Sequence, residues 1–499
     1  MGVKRCSCSV DGAEELSHAG VRASVVAWKR RNGRGAKGRR KVDEAVTEQT
    51  ESHPPQSPQG VDGGETPSAE TLAAWQLRAR WPYAEPAVWT LRMLEALEQG
   101  VKGGKWHSLM DKVYKSDNLL SSFEKVKCNG GAPGVDHVTV RAFDKKLESN
   151  IASLRTQLSD GTYQPQAVRR IYIPKPGSRE KRPLGIPTVR DRVAQGALRQ
   201  VIEPIFERDF AEHSYGFRPG RGCKQALRRV DGLLKQGYTW VVDADIKGYF
   251  DAIPHEPLLA LLHERISDRS TLGLIEKFLR QGVMDGLSSW TPEQGTPQGA
   301  VLSPLLANIY LDPLDHRMAA SGYEMTRYAD DFVVQCRSQR EAQQALEIIR
   351  DWTAQASLRL HPEKTRIVDA AERGGFDFLG YHFERGYRWP RKKSLDKLKD
   401  SIRGQTPRTN GQSLECIIGS INPRLRGWFA YFKHSHKTTF GPLDSWIRMR
   451  LRSILRRRNK RKGRGRGFDH FRWPNAFFAE HGLFSLTAAR AQACQSARR

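Results

Sequence analysis

Two short apolar runs bounded by charge read as buried strands. One is Tyr238-Thr239-Trp240-Val241-Val242, which runs into Asp243-Ala244-Asp245 and then Gly248 and the aromatic pair Tyr249-Phe250. The other is Phe332-Val333-Val334, which follows the basic stretch Met325-Thr326-Arg327, so that Tyr328-Ala329-Asp330-Asp331 falls in a tight turn between two strands. Ile171 to Pro187, with Pro176-Gly177 inside it, predicts a hairpin with a Pro-Gly turn. Ser338-Gln339-Arg340-Glu341 is a capping box, and the helix behind it sets Ala342, Ala345, Leu346, Ile349 and Trp352 on one stripe for packing under the sheet. From Ala69 to Lys127 the pattern turns helical, with Trp89, Leu91, Met93, Leu94 and Leu97 forming an apolar face before Gly100. Asp444 to Gly467 begins as a helix whose Trp446, Ile447, Leu451, Ile454 and Leu455 face a core. This alternation of strands and helices predicts an α+β fold.

Composition changes the picture at both ends. The chain has 499 residues, enough for more than one domain, and 82 Lys and Arg against 55 Asp and Glu, a net charge of +27. A surplus of that size repels itself in a compact fold unless a polyanion binds it, and nucleic acid is the obvious partner. Residues 1–66 hold a Pro- and Gly-rich stretch and, from Lys29 to Lys41, eight basic residues in thirteen with no acid. That segment predicts a disordered basic arm that touches RNA. Arg448 to Arg466 carries eleven basic residues in nineteen, interleaved with apolar positions, a pattern suited to phosphate contact and base stacking. No apolar run approaches the roughly 20 residues of a spanning helix, so no membrane partner is expected. The N-terminus lacks the apolar core of a signal peptide, and the seven cysteines are scattered without a zinc-site pairing. They read as reduced thiols of a cytoplasmic protein. The Gly-rich box Asn129-Gly130-Gly131-Ala132-Pro133-Gly134 lacks the Lys-Ser/Thr of a phosphate-binding loop, which argues against an NTPase.

The chemistry concentrates in acids. Burying adjacent carboxylates is costly unless a cation compensates. A strand that ends at Asp245 delivers a third carboxylate beside Asp330 and Asp331, and three such groups can bridge two Mg²⁺ ions roughly 3.5–4 Å apart, a centre for nucleotidyl transfer. Asp243 and Asp251 compete for the ligand role, although Asp251 could simply start a helix.

Taken together, these stretches resemble the group II intron reverse transcriptase/maturases. The resemblance rests on Asp245-Ile246-Lys247-Gly248-Tyr249-Phe250-Asp251, on Gly295-Thr296-Pro297-Gln298-Gly299 running through Ser303-Pro304 to Asn308, on Tyr328 to Asp331, on Leu360 to Thr365 and on Phe376 to Tyr381, in order over Asn129 to Tyr381. Ile421 to Phe432 resembles the maturase domain that doubles as the polymerase thumb. The resemblance implies a right-hand fold of fingers, palm and thumb, with metal held by Asp245, Asp330 and Asp331, Ile246 beside them, and Lys364 as general acid for the departing pyrophosphate. It implies Lys175 and Arg182 on the triphosphate of the incoming dNTP, Phe250 as the gate against a ribose 2′-hydroxyl, and Gln298 and Gly299 as the floor beneath the templating pair. RNA contacts are expected from Arg424, Arg426, Arg456, Arg457, Arg458, Lys460, Arg461 and Lys462.

The expected organisation is a basic arm over 1–66, a helical extension of the fingers over 67–127, fingers and palm over 128–384, a maturase/thumb domain over 385–462 and a basic tail over 463–499. With only Cys494 near the end, a Cys- and His-containing endonuclease domain is expected to be absent. The expected activity is RNA-directed DNA synthesis with two Mg²⁺ ions in a bacterial cytoplasm. The expected partners are group II intron RNA, target DNA, template and primer, and dNTPs, leading to assisted splicing and to mobility by target-primed reverse transcription. A splicing factor without polymerase activity and a reverse transcriptase recruited to a non-intron task are the rivals.

Overall fold

The computed structural model describes residues 69–101, 103–174, 181–465 and 467–496. The expected basic arm, Lys175 and the expected Pro176-Gly177 turn lie outside the described residues. Among the described residues eleven strands occur in chain order: β1 Val168–Pro174, β2 Lys181–Ile186, β3 Trp240–Asp245, β4 Val283–Asp285, β5 Ser288–Trp290, β6 Glu324–Tyr328, β7 Asp331–Cys336, β8 Arg366–Asp369, β9 Phe376–Phe378, β10 Tyr381–Glu384 and β11 Tyr387–Pro390. They form three sheets, ordered β2-β1-β4-β5, β6-β7-β3-β8 and β11-β10-β9.

The β6-β7-β3-β8 sheet is antiparallel throughout and separates two hydrophobic cores. Side chains alternate across a strand. Val242, Ala244, Phe332 and Val334 therefore enter the first core with the helices Ser303–Ala320 and Gln339–Gln355. Val241 and Val333 enter the second core with the helix Cys223–Lys235 and the C-terminal helices. Burial on both faces explains why β7 reads as an unbroken apolar run rather than an alternating one.

Local signals act where the pattern placed them. Ser338 Oγ accepts from the Glu341 amide at 3.2 Å, and Glu341 Oε2 accepts from the Arg337 amide at 3.0 Å, one residue upstream of a standard capping box. On the helix behind it Ala342, Ala345, Leu346 and Ile349 are buried and Trp352 is half-buried. The β1–β2 hairpin forms with Ile173 opposite Arg182. The helix Val189–Glu207 is buried nearly all round and forms the spine of the first core.

Some expectations fail at this level. The helix after Thr90 is Leu91–Gln99; Trp89 precedes it, fully buried, with its indole donating to the Gln200 carbonyl at 3.0 Å, and Leu91 is exposed. Position in the first turn turns Leu91 outward, whereas Leu94 and Leu97 face the core. The basic helix is Phe440–Arg458 and stops at Asn459. Residues 463–496 are not a tail. Trp473, Phe478 and Leu486 belong to the second core, and the helix Leu486–Ser496 packs on Phe440–Arg458. Its N-terminus is capped from a distance: the buried Asp444 carboxylate accepts from the Leu486 amide at 3.0 Å, the Thr487 amide at 3.1 Å and the Ser485 hydroxyl at 3.0 Å. Among the described residues no helix is long and apolar enough to cross a membrane.

Asp444→Ala removes the acceptor for those donors and should cost about 1–3 kcal/mol. Urea unfolding measures the loss, and amide exchange should localise it to residues 486–496; protection unchanged there would show that the cap is dispensable.

Candidate active site

Register brings the acids together. Along β3 and β7 the pairs run from Trp240 opposite Cys336 to Asp245 opposite Asp331, so two carboxylates meet at the ends of adjacent strands. Asp330 sits next to them in the two-residue link between β6 and β7, where Ala329 adopts a φ of 59°. Asp243, Asp245 and Asp331 all project on the face of the sheet opposite Val242, Ala244 and Phe332, the face of the second core.

A buried scaffold, not evident from the sequence, holds the turn. Arg327, 0% exposed, donates through Nε to Asp315 Oδ1 at 2.8 Å and through Nη1 to Asn308 Oδ1 at 2.9 Å and to the Ala329 carbonyl at 3.0 Å. Its Nη2 closes a second, short contact with Asp315. Burial works against the Arg327 charge, but the Asp315 carboxylate more than offsets it and keeps the guanidinium pKa raised. Asn308 Nδ2 reaches the Gly216 carbonyl at 2.8 Å. Gly216 lies flat on the turn: any Cβ there would overlap the Ala329 amide. In sequence Arg327 is only the charge that bounds an apolar run; the alternation of β6 turns it inward.

Electrostatics mark the same place. Burial pushes the Asp331 carboxyl up to about 7, and the neighbouring charges of Asp330, Asp243 and Asp245 add to it. Asp330 is also raised, by burial and then by Asp245, against the opposing pull of Arg182 and Arg327. Burial lifts Asp243 to about 6 even though Arg366 contacts it at 3.3 Å. Neither Asp330 nor Asp331 forms an ion pair among the described residues, so their charge is uncompensated. Hard carboxylate oxygens with excess negative charge are the donor set a divalent cation requires. The side chains do not close on one point as they stand, however: among the described residues no three acidic, His or Cys groups are arranged to hold a metal. Asp245 instead accepts from Lys364 Nζ at 2.6 Å, and a cation would have to compete with that amine.

The other expected residues fall as follows. The backbone of β3 continues past Asp245 with Lys247 N bonded to the Arg359 carbonyl and His361 N to the Asp245 carbonyl, which leaves the Ile246 carbonyl directed to the β7 side. Phe250 is half-buried, edge-on to Phe217 at 6.4 Å. Asp251 lies within the short helix Tyr249–Ala252 and accepts from Gln298 Nε2 at 2.9 Å. The Gln298 carbonyl accepts from the Gly185 amide at 2.7 Å, tying the loop to β2. Gly299 has a φ of 105°, and a Cβ there would stand 2.6 Å from the Gly185 carbonyl. Arg182 is exposed on β2.

The basic positions divide by burial. Arg457, Arg458, Lys460, Arg461, Lys462 and Arg426 are exposed, Arg426 over the Phe484 ring at 4.9 Å and Arg458 on the Gln412 carbonyl. Arg424, exposed, contacts Ser401. Arg456 is half-buried and bonded to Asp469 at 2.7 Å, and Arg452, counted in the basic run, is buried with its Nε on the Trp473 carbonyl at 2.9 Å. These two cations stabilise the domain rather than present themselves to a partner, because each lies on the inner side of the helix.

The chain matches the family model described as reverse transcriptase (RNA-dependent DNA polymerase) over residues 173–383 and that of the group II intron, maturase-specific domain over residues 395–473. It is similar to the group II intron-encoded protein LtrA of Lactococcus lactis subsp. cremoris, with 46% identity over 205 residues, 41% of this chain and 34% of that protein. It thus spans about a third of the length of that relative (34%). It is also similar to protein YkfC of Escherichia coli (strain K12), with 32% identity over 346 residues, 62% of this chain and 86% of that protein. Among solved structures, a chain of a partial Cas6-RT-Cas1–Cas2 complex aligns at 27% identity over 50% of this chain and 42% of its own, with a TM-score of 0.34.

Arg327→Met leaves Asp315 buried without its partner and should cost about 3–5 kcal/mol, whereas Asp315→Leu with Arg327→Met should recover much of that. Urea unfolding of the single and double variants decides it, and a double variant no better than the single one would refute an ion-pair origin. The acid cluster predicts a pH effect as well. Folded Asp330 and Asp331 have pKa values above those of the unfolded chain, so the folded state holds extra protons between the two. The resulting stability is complete below about pH 4 and is lost as the pH rises through about 7. Without divalent ions, Tm should therefore fall over that window, and less steeply in Asp331→Asn; identical slopes would show that the turn is not its source.

Proposed function

Since this chain belongs to the group II intron-encoded reverse transcriptase family with a maturase-specific domain, we propose that it is an RNA-directed DNA polymerase that also binds its intron RNA and assists splicing. The observation that supports this most is the cross-strand register that sets Asp245 opposite Asp331, next to Asp330. Asp330 and Asp331 have no ion-pair partner among the described residues and Asp245 has only Lys364, so the three carboxylates carry more negative charge than their surroundings offset. Their mutual repulsion is tolerated because cations offset it in the working protein.

Asp245, Asp330 and Asp331, with the Ile246 carbonyl, are the residues that would hold two divalent ions, and their oxygen donors suit Mg²⁺. Such ions, when bound, favour the deprotonated primer 3′-hydroxyl and offset charge on the triphosphate and the leaving pyrophosphate. The protein's own residues do the rest. Lys175, together with Arg182 on β2, holds the incoming triphosphate by charge-assisted hydrogen bonds. Phe250 closes the space a 2′-hydroxyl needs. Gln298, braced on Asp251, and Gly299, pressed on Gly185, form a rigid floor under the templating pair. Lys364, once released from Asp245, donates a proton to the departing pyrophosphate.

Exposed cations of the C-terminal helices, Arg426, Arg457 and Arg458, and of the loop after Asn459, Lys460, Arg461 and Lys462, bind intron RNA through phosphates. The RNA itself carries out cleavage and ligation, and the protein holds it folded. Target-primed reverse transcription of that RNA at a DNA site then gives mobility. A bacterial cytoplasm is the setting, supported by the Lactococcus and Escherichia relatives.

Asp330→Ala should abolish primer extension on an RNA template with Mg²⁺ and dNTPs while leaving intron RNA affinity within about twofold, since phosphate contacts carry that affinity. Extension by the variant at the wild-type rate would remove the metal site from the mechanism. Loss of RNA binding alongside extension would show that the two activities share one site.

A further inference from the structure

Phe468 and Phe471 are 73% and 81% exposed, with ring centroids 6.1 Å apart and planes 40° apart. Exposing two phenyl rings side by side forgoes about 1.5–3 kcal/mol of burial each, and a soluble surface does not keep such a pair without a use for it.

They are not the product of a loose end. The helix Asp469–Arg472, which Phe468 immediately precedes and which carries Phe471, is anchored from below. Asp469 is buried and ion-paired to Arg456 at 2.7 Å, and the same arginine donates to the Lys462 carbonyl at 2.7 Å. Trp473, also buried, donates its amide to the Asp469 carbonyl at 3.0 Å and accepts from Arg452 at 2.9 Å. Arg472 stacks on the Trp473 ring at 5.1 Å. The anchor fixes which way the helix faces, so both phenyl rings are held outward.

The surroundings name the partner's charge. Residues 456–472 contain nine Lys and Arg and a single acid, Asp469, whose charge Arg456 already offsets. A ligand here must be anionic and must also offer flat apolar faces. Unpaired nucleotides meet both conditions. A duplex supplies the phosphates but keeps its base faces stacked on one another.

We propose that Phe468 and Phe471 form a stacking platform for unpaired RNA bases, with the flanking cations on the phosphates. This rests on the reading that the C-terminal surface binds RNA. It adds that the surface distinguishes loops, bulges and ends from helices. Cations alone set affinity and its salt dependence; the rings set the preference for unpaired bases.

The test uses the full-length protein and fluorescence anisotropy with an unpaired RNA of about 12 nucleotides and a blunt RNA duplex of matched composition. Phe468→Ala with Phe471→Ala should lower affinity for the unpaired RNA about a hundredfold, tenfold for each ring, and leave duplex affinity and the salt slope unchanged. Phe468→Trp with Phe471→Trp should retain the preference. Equal losses on both RNAs, or no loss on either, would overturn the platform while leaving the cationic RNA surface intact. Wild-type protein that binds neither RNA would instead remove the reading on which it rests. If the double alanine variant released the protein from anionic phospholipid vesicles but not from unpaired RNA, the rings would serve a membrane and the proposal would fall.

Discussion

A single buried charge organises the centre of this molecule. Arg327 has no exposed surface, and an isolated guanidinium in such a place would be very unfavourable. The fork of that side chain resolves the problem by meeting Asp315, Asn308 and the Ala329 carbonyl at once. The same contacts bind the helix Ser303–Ala320 to the turn between β6 and β7. Asn308 then reaches across to Gly216, whose missing side chain lets another segment lie against the turn. Asp330 and Asp331 are consequently fixed by a network whose members are neutral overall and fully desolvated, while the acids themselves are left without a partner of their own. The structure places its satisfied charges below the turn and its unsatisfied ones above it.

The sheet that carries the acids lies between two cores, and that position accounts for their electrostatics. Val242 and Phe332 point into one core, Val241 and Val333 into the other, so water is excluded from both faces of the strands. Carboxylates at the ends of such strands are desolvated whether or not a counter-ion is present, which is why burial is the first cause of every raised pKa in the cluster. Lys364 offsets part of the charge at Asp245. Within this arrangement the lysine and a cation are alternatives at one carboxylate.

The C-terminal unit uses its positive charge in two ways. Arg452 and Arg456 face inward and tie helices together through Trp473 and Asp469, whereas Arg457, Arg458, Lys460 and Arg461 face water. Helical periodicity makes the division as far as Arg458: Arg452 and Arg456, four residues apart, share the inner face while Arg457 and Arg458 point elsewhere, and Lys460 and Arg461 follow the end of the helix at Asn459. The segment beyond residue 463 completes the core with Trp473, Phe478 and Leu486, and in doing so displays Phe468 and Phe471 on the charged side.

Much of this was legible in the residues. The strands through Val242 and Val333, the pairing of Val168–Pro174 with Lys181–Ile186, the capped helix after Ser338 and the identity of the acids all follow from local pattern, because apolar period and capping are properties of neighbours in sequence. The division of the basic run was not legible, nor was the folding of residues 463–496, since low apolar density in a segment does not reveal that a core formed elsewhere has room for its few large side chains. Arg327 looks like a boundary charge in sequence because its partner Asp315 is twelve residues away on another element, and nothing local distinguishes a buried arginine from a solvated one. The sequence by itself determined which residues are acids, strands and caps, and the family to which they point. Only the tertiary structure decided which charges are paired, which acids share one register, and which aromatic rings stay in water, because those depend on contacts between elements that are distant along the chain.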